Sequence, residues 1–421
     1  MKKLFFRSFA AAAAAVCLVS CTDKAVVQSQ KPKTEITLSW WGNDARTEYT
    51  IEAVEVFEEL HPDIKVKCSY SEWSGYEARS RVLMISDTEA DVMQINYSWL
   101  EEYSPDGKGY YDLSKLTDIV DLSAFPDQVL EFGTQNGILN AVPIAMNAET
   151  VYINKTIYDK YGLEPPRTWE DVFAAAEAMR SDGIYPLSGA SKAMWLYSLA
   201  YAQQVTGKSF LSSDSLITYS PEELGVMIQF YNRLVKEKAV PQVEYFERKN
   251  IDNGSYAGAV AWVSDAVNYF GSTISAGNSV IAADQTALSP EKSGEGWYEK
   301  PATLYAVSKN TEHPEEAALL LDFLLNSREM AVLQGVEKGI PISEPALEAL
   351  DQEGLLSGIQ YEASLKMDSA VPLAVLDPVI EKAELYNAFY DACNLVIYGK
   401  ADLESASEQL YQVYKDGGYI E

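Results

Sequence analysis

Tryptophan and its polar neighbours are the residues of this sequence best suited to binding chemistry. The stretch "SWWGNDART" at residues 39–47 places a tryptophan pair before Asn43 and Arg46. An indole ring offers a broad apolar face and one N–H donor. Pyranose rings pack their C–H faces on such surfaces, and their hydroxyls need well-placed polar partners. The stretch therefore fits the wall of a sugar site, although it also fits a core strand that runs into a helix cap.

Histidine catalysis is disfavoured by the positions of the two histidines. His61 and His313 each precede a proline, which pushes them out of helical geometry and into turns. A Ser-His-Asp triad, a Cys-His pair or a histidine-based zinc site would need one of them. The sequence also lacks GxxxxGK[ST], and no GxGxxG follows a strand. We therefore expect a protein that is not an enzyme and that uses no cofactor and no metal.

Carboxylates leave one enzymatic alternative open. The chain has 62 acidic and 33 basic residues, a net charge of −29, which disfavours nucleic acid as a partner. A glycoside hydrolase needs two acids that flank a sugar, and adjacent glutamates occur at 58–59, 101–102 and 315–316. These pairs stand in or beside predicted helices, where they fit solvated surfaces. A secreted glycoside hydrolase or lyase is the alternative to a binding protein, and a surface adhesin is the third hypothesis.

Alternating strands and helices position the candidate residues. "EITLSWW", "DIKVKCSY" and "ADVMQIN" predict strands, and helical segments separate them, as in parallel βαβ units. We therefore expect an α/β fold with ligand contacts at the carboxyl ends of the strands. The residues at these ends are Trp41, Asn96, Tyr97 and Trp99. Because successive strand residues face opposite sides, Trp40 should enter the core and Trp41 the cleft.

The first 34 residues predict export and anchoring. Residues 1–20 combine basic positions with a short apolar run, which is typical of a signal peptide. "LVSC" at residues 18–21 resembles the bacterial lipobox, which implies cleavage before Cys21 and lipid attachment to its sulfur. The alternative is an ordinary signal peptide with an incidental cysteine. Residues 21–34 are polar and aperiodic, as in a flexible tether, so we expect lipid anchoring at the extracytoplasmic face of the cell membrane.

Five stretches, taken in order, carry a family resemblance. They are "WWGNDARTEYTIEAVEVFEELHPDIKV", "ADVMQINYSWL", "AVPIAMNAETVYINKTIYDKYGLEPPRTWEDV", "GAVAWVSDA" and "PATLYAVSKNTEHPEEAALLLDFLLNS". Together they resemble family 1 extracellular solute-binding proteins, the carbohydrate-binding lipoproteins of ABC importers. The resemblance implies a two-lobe periplasmic-binding-protein-like fold (type II-like) with the ligand cleft between the lobes. It also implies closure on a sugar and delivery to the importer's membrane subunits, and we expect a monomer.

The same resemblance assigns the lobes and the ligand contacts. The N-terminal lobe takes residues 35–147 and 279–327, and the C-terminal lobe takes residues 148–278 and 328–421. The implied ligand contacts are Trp41, Asn43, Arg46, Trp73, Asn96, Tyr97, Ser98, Asn147, Trp195, Trp262 and Asp265. Asn147 occupies a place where relatives can carry an acid. No contact is assigned after Ser327.

The ligand class follows from the number of aromatic residues and from one cation. Several aromatic side chains imply several subsites, hence an oligosaccharide rather than a monosaccharide. Arg46 stands near a predicted helix start, whose positive dipole end also attracts anions. A uronate carboxylate is one group that Arg46 and this helix start would hold together. The favoured interpretation of Arg46 is that it binds neutral hydroxyls or pairs with Asp44 or Glu48.

Overall fold

The computed structural model describes residues 33–367 and 369–421. The strands in this part of the chain are β1 (Thr34–Trp41), β2 (Ile64–Ser71), β3 (Val92–Ile95), β4 (Thr134–Gln135), β5 (Ile138–Leu139), β6 (Ala141–Asn154), β7 (Gly258–Trp262), β8 (Val280–Ala283), β9 (Tyr298–Val307) and β10 (Ala374–Val375). The predicted signal peptide, Cys21 and the tether up to residue 32 lie outside the described residues. Thr34 was expected in the tether and is instead the first residue of β1.

Helices follow most of the strands and dominate the chain after residue 313. They are α1 (Asp44–Leu60), α2 (Trp73–Ile85), α3 (Ser98–Tyr103), α4 (Asp127–Glu131), α5 (Lys155–Lys160), α6 (Trp169–Met179), α7 (Ser191–Thr206), α8 (Pro221–Lys236), α9 (Lys249–Asp252), α10 (Ala266–Ser275), α11 (Pro314–Asn326), α12 (Arg328–Gln334), α13 (Glu344–Gln352), α14 (Ile359–Ser364), α15 (Ala383–Ile397) and α16 (Leu403–Asp416). Side chains of Asn43, Thr168 and Ser220 accept backbone N–H groups at the starts of α1, α6 and α8, which stabilises those starts. Within the described residues, no helix has the length and apolar character needed to cross a membrane.

One mixed sheet runs through the whole molecule. Its strands follow the path β2-β1-β3-β9-β6-β7, with β10 paired to β9 and β8 paired to β6. β1 pairs in parallel with β2 and β3, as the strand–helix alternation predicts. β9 pairs antiparallel with β3 and β6, and β6 pairs antiparallel with β7 and β8. Parallel pairing therefore applies to the first three strands and to the short β10–β9 pair, while the other pairs are antiparallel.

Two main hydrophobic cores define two lobes. The first contains Ile36, Phe57 and Tyr305, and the second contains Val151 and Phe389. β6 belongs to both, because its first half pairs with β9 and its second half pairs with β7 and β8. The register of β6 against β9 is irregular between residues 143 and 146, close to where the strand passes between the cores. The predicted two-lobe α/β architecture is confirmed.

The lobe boundaries in the second half of the chain differ from the prediction. β8 belongs to the second lobe because it pairs with the end of β6, and Trp297 lies in the second core. α12 packs on α1, and α13 packs on α12, which places residues 328–352 on the first lobe. The predicted assignments of residues 279–297 and 328–352 are therefore reversed. Residues 279–297 were misassigned because β9, rather than β8, carries the chain back to the first lobe. Residues 328–352 were misassigned because the chain stays on the first lobe through α12 and α13.

Candidate ligand-binding site

Aromatic rings cluster at the carboxyl ends of the first-lobe strands. The ring centroid of Trp41 lies 4.9 Å from that of Trp73 and 5.4 Å from that of Tyr76. Trp99 stacks at 6.0 Å from Trp73. These separations lie in the range favoured for aromatic pairs. Strand parity correctly predicts that Trp40 is fully buried while Trp41 faces the space between the lobes.

Two cavities open between the lobes, and Trp73 and Asn96 line both of them. The larger cavity measures about 530 Å³, and its lining includes Ser98 and Glu101 from the first lobe and Lys192 and Glu381 from the second. The smaller cavity measures about 190 Å³. Trp73 is 36% exposed, so it presents a free apolar surface to both cavities. A ligand that fills either cavity touches groups from both lobes.

Asn96 and Ser98 supply polar groups where β3 ends. The Oδ1 of Asn96 accepts hydrogen bonds from the backbone N and the Oγ of Ser98, at 3.1 and 3.0 Å. Among the described residues, the Nδ2 of Asn96 makes no hydrogen bond, so it is available to a ligand hydroxyl. Tyr97 lines neither cavity and packs edge-on against Phe132 at 6.1 Å. Tyr97 thus supports the strand end in this conformation.

Arg46 reaches the smaller cavity from the first turn of α1. Asn43 caps that helix, since its Oδ1 accepts the backbone N–H of Arg46 at 2.9 Å, and Asn43 lines neither cavity. A Cβ on residue 42 would lie 2.6 Å from the Cβ of Arg46, so Gly42 makes room for this side chain. The Nη2 of Arg46 donates to the carbonyl of Glu337 at 2.7 Å. Within the described residues Arg46 forms no ion pair, so the expected pairing with Asp44 or Glu48 is absent.

Lys338 stands beside Arg46 in the smaller cavity. Its Nζ donates to the hydroxyl of Tyr305 at 2.8 Å, and the residue is 2% exposed. Burial, reinforced by the positive charge of Arg46, lowers the pKa of Lys338 to about 7. Two cations therefore share one small cavity. Lys338 follows Ser327, in the region to which the sequence assigned no ligand contact.

Asn147 lies on the crossing strand β6 and contacts the second lobe rather than open space. Its Nδ2 donates to the Oγ of Ser264 at 3.0 Å, and its Oδ1 accepts the Ser264 backbone N–H at 3.2 Å. Ser264 in turn lines the smaller cavity. Since both ends of the Asn147 amide are used inside the protein, Asn147 positions Ser264.

Trp262 and Asp265 lie beside the cavities without lining them. The Nζ of Lys300 lies 4.6 Å from the centroid of the Trp262 ring, a cation–π contact that covers one face of the indole. Burial raises the pKa of Asp265, and the charge of Arg46 opposes that rise. Direct ligand contact by Trp262 and Asp265 stays a prediction.

An ion-pair network borders the larger cavity on the second lobe. The carboxylate of Glu381 lies 2.6 Å from the Nζ of Lys300 and 3.1 Å from that of Lys192. Although burial alone raises the pKa of Glu381, these two ammonium groups hold it below its usual value. Nearby Glu149 is 2% exposed, and burial and the charge of Glu381 raise its pKa well above the usual range. Two ammonium groups and the Glu381 carboxylate thus meet at this wall of the cavity.

Trp195 does not belong to this site. It is fully buried in the second core, where its ring packs against Phe210 and Phe389. Its Nε1 donates to the carbonyl of Ile380 at 3.0 Å. Most of the residues of α7 are buried, so the tryptophan reflects helix packing. We therefore correct the sequence-based assignment: Trp195 is a core residue and offers no surface to a ligand in this conformation.

The family model described as bacterial extracellular solute-binding protein matches residues 42–331. This chain belongs to that family. As a solute-binding protein of this family, it is a non-enzymatic receptor that serves an ABC transporter outside the cytoplasm. Within the described residues, no group of three or more histidines, cysteines or acids is arranged to hold a metal ion.

Individual relatives agree with the family assignment. An uncharacterised ABC transporter extracellular-binding protein of Pyrococcus horikoshii is 26% identical over 318 residues, 72% of each chain. A second protein of that organism with the same description is 26% identical over a shorter stretch, 37% of each chain. A periplasmic oligogalacturonide-binding protein of Yersinia enterocolitica, solved with saturated digalacturonic acid, is 27% identical. The likeness covers 92% of this chain and 100% of the other, with a TM-score of 0.81.

The sequence did not identify the cationic side of the solute-binding protein's cleft. The residues it missed are Lys192, Lys300, Lys338 and Lys382, together with Glu381. Single lysines carry no local signal, because most lysines of a sequence are solvated surface residues. Long-range folding brings these together, since they come from α7, β9 and two segments after residue 327.

Proposed function

We propose that this solute-binding protein captures an oligosaccharide between its lobes and delivers it to an ABC import permease. The observation that carries the proposal is the pairing of surfaces across the two cavities. The first lobe offers Trp41 and Trp73 as apolar ring faces, and Asn96 offers a free amide beside them. The second lobe offers the charged side chains of Lys192, Glu381 and Lys382. A saccharide has C–H faces and hydroxyls that match the two kinds of group.

Lobe closure explains how binding becomes a signal. A ligand that contacts both lobes favours the closed arrangement by its difference in affinity for the two arrangements. β6 and β9 connect the lobes, and the irregular register near Ala145 is where we place the bend. The permease would then recognise the closed form. The ligand of the Yersinia relative, digalacturonic acid, supports an oligosaccharide of at least two units.

A glycan panel tests the proposal. The purified protein is heated with neutral and acidic mono-, di- and oligosaccharides, and the mixtures are then examined for products. A ligand at 100 times its Kd adds about 2.7 kcal/mol of stability, so at least one oligosaccharide should raise the Tm clearly without being altered. Conversion of the glycan to product contradicts the proposal. So does the absence of any stabilisation by the panel when the protein is folded.

We also propose that Cys21 anchors the protein by lipid to the outer face of the cell membrane. The support is the lipobox-like "LVSC" and the polar residues that separate it from Thr34, where β1 begins. Cys21→Ser should move the protein from the membrane fraction to the soluble fraction, with its glycan affinity unchanged. Retention of the variant in the membrane fraction would refute the assignment.

A further inference from the structure

We propose that the smaller cavity is a carboxylate subsite, built by Arg46 and Lys338, which makes the ligand an acidic sugar such as a uronate. The inference rests on the proposed function, because it names the class of saccharide that the same cleft accepts. It also reverses the interpretation of Arg46 that the sequence favoured.

Arg46 has unused hydrogen-bonding capacity in this cavity. One of its donors, the Nη2, is held by the carbonyl of Glu337, which fixes the position of the guanidinium. Its Nε is buried and has no partner among the described residues. A guanidinium offers five N–H groups in a planar fork that matches a carboxylate. Since leaving a buried charged donor unpaired is costly, the geometry points to a ligand that supplies the missing acceptor.

Lys338 supplies the second positive group. It is anchored by the hydroxyl of Tyr305 at 2.8 Å and, in the part of the chain that the structure describes, it has no carboxylate partner. Buried cations are almost always paired in proteins. Arg46 and Lys338 thus face one cavity without an ion-pair partner among the described residues, and a ligand carboxylate would supply one.

The rest of the cavity fits a sugar ring attached to that carboxylate. Trp41 and Trp73 line it with aromatic surface, and Ser264 faces it from the second lobe. The Oγ1 of Thr303 lines it as well and is buried without a partner among the described residues. A pyranose packed on the indoles would place its hydroxyls near the two hydroxyl side chains and its carboxylate near the two cations.

Other charges around the two cations favour an anion on balance. Asp265 is the acid whose charge interacts with Arg46, and it offsets part of the positive charge. Burial raises the pKa of Tyr49 and of Tyr305, so both phenols stay neutral beside Lys338. The carboxylate of Glu337 is solvent-exposed, where screening weakens it. With Lys338 protonated and the screened Glu337 left out, Arg46, Lys338 and Asp265 sum to one net positive charge.

The protonation of Lys338 gives the subsite a pH dependence. In the free protein burial lowers its pKa to about 7, so the ammonium is lost as the pH rises from 7 toward 9. A bound carboxylate favours the ammonium and raises this pKa, so binding takes up a proton in that range. The affinity for an acidic ligand should therefore fall as the pH rises above 7, by up to about tenfold per pH unit.

Calorimetry with a matched pair of ligands tests the inference. The probes are digalacturonate and its dimethyl ester, in which both carboxyl groups are esterified and therefore uncharged. The unmodified protein should bind the acid at least tenfold more tightly than the ester at pH 6.5. The ratio of the two affinities should be smaller at pH 9. Arg46→Gln and Lys338→Met should each weaken binding of the acid by roughly 10- to 100-fold, with little change for the ester. Lys108→Met, which removes an exposed lysine of the first lobe, should change neither.

Three outcomes overturn the carboxylate subsite alone. Equal affinity for acid and ester is one, and equal weakening of both ligands by each substitution is another. The third is tight binding of a neutral glycan from the panel without binding of the acid, which leaves the proposed function intact. Failure to bind any glycan removes both the inference and the proposed function. The Tm of each variant, measured without ligand, separates lost binding from lost folding.

Discussion

Trp73→Ala should weaken oligosaccharide binding about 30-fold. Trp73 lines both cavities and, at 36% exposed, is the most exposed of the tryptophans that line them. Removing an aromatic anchor from the centre of an interface costs about 2 kcal/mol, which corresponds to a factor of about 30 in Kd. Titration calorimetry with the best glycan of the panel measures this change.

The substitution should leave the fold intact. Trp73 is the first residue of α2, where alanine is compatible with a helix. The loss of its contacts with Trp41 and Trp99 should cost about 1 kcal/mol of stability. Trp73→Phe keeps a ring and should lose less affinity. Tyr245→Ala, which removes an exposed ring outside the cavities, should leave affinity unchanged, and an unchanged affinity of Trp73→Ala would exclude stacking on this residue.

Trp195→Ala should lower the free energy of unfolding by about 3–5 kcal/mol. Deleting a fully buried indole removes its apolar burial and leaves a cavity. The side chain is 0% exposed, and the substitution also leaves the carbonyl of Ile380 without its indole partner. Urea unfolding, followed by circular dichroism, gives the change in free energy. Among the residues that the sequence predicted as ligand contacts, this is the substitution with the largest expected loss of stability.

Binding measurements separate the two possible roles of this residue. Trp195→Phe keeps aromatic packing against Phe210 and Phe389 and should lose less stability than the alanine variant. Glycan affinity of the folded fraction should be nearly unchanged in both variants. If Trp195→Ala instead kept full stability and lost affinity, the residue would belong to the ligand wall and the present correction would be wrong.

Strand periodicity explains what the sequence could predict. Along β1 the alternation of faces separates Trp40 from Trp41, and the same local pattern identifies the first three strands and their parallel pairing. The aromatic side of the site follows from it, since Trp41, Trp73 and Asn96 stand at or just after strand ends. The local pattern is sufficient there because these residues lie where the alternation typical of a strand gives way to a turn or a helix.

Helix periodicity was not sufficient for Trp195. α7 is buried on most of its surface, so its tryptophan stands in a nearly uniform apolar background. A core helix and a cleft helix with the same residues are hard to distinguish by periodicity. The assignment depends on α15, which brings Phe389 to the indole from nearly two hundred residues further along the chain.

The cationic groups depend even more on tertiary structure. Lys338 precedes α13, and α12 and α13 pack on the first lobe rather than the second. The sequence placed this region on the wrong lobe, so it did not bring Lys338 near Arg46. Since the packing of α12 on the distant α1 decides the matter, no local pattern in residues 328–352 would have corrected it.

The late position of β9 in the chain also governs when this protein can fold. β9 lies between β3 and β6 in the sheet, and Val92 of β3 pairs with Val307, about 200 residues later. Closing so long a loop is slow, because its entropy is lost before the contacts form. The first lobe therefore lacks a central strand until most of the chain has been synthesised. Such a delay would keep the chain unfolded for longer, which suits a receptor that works outside the cytoplasm.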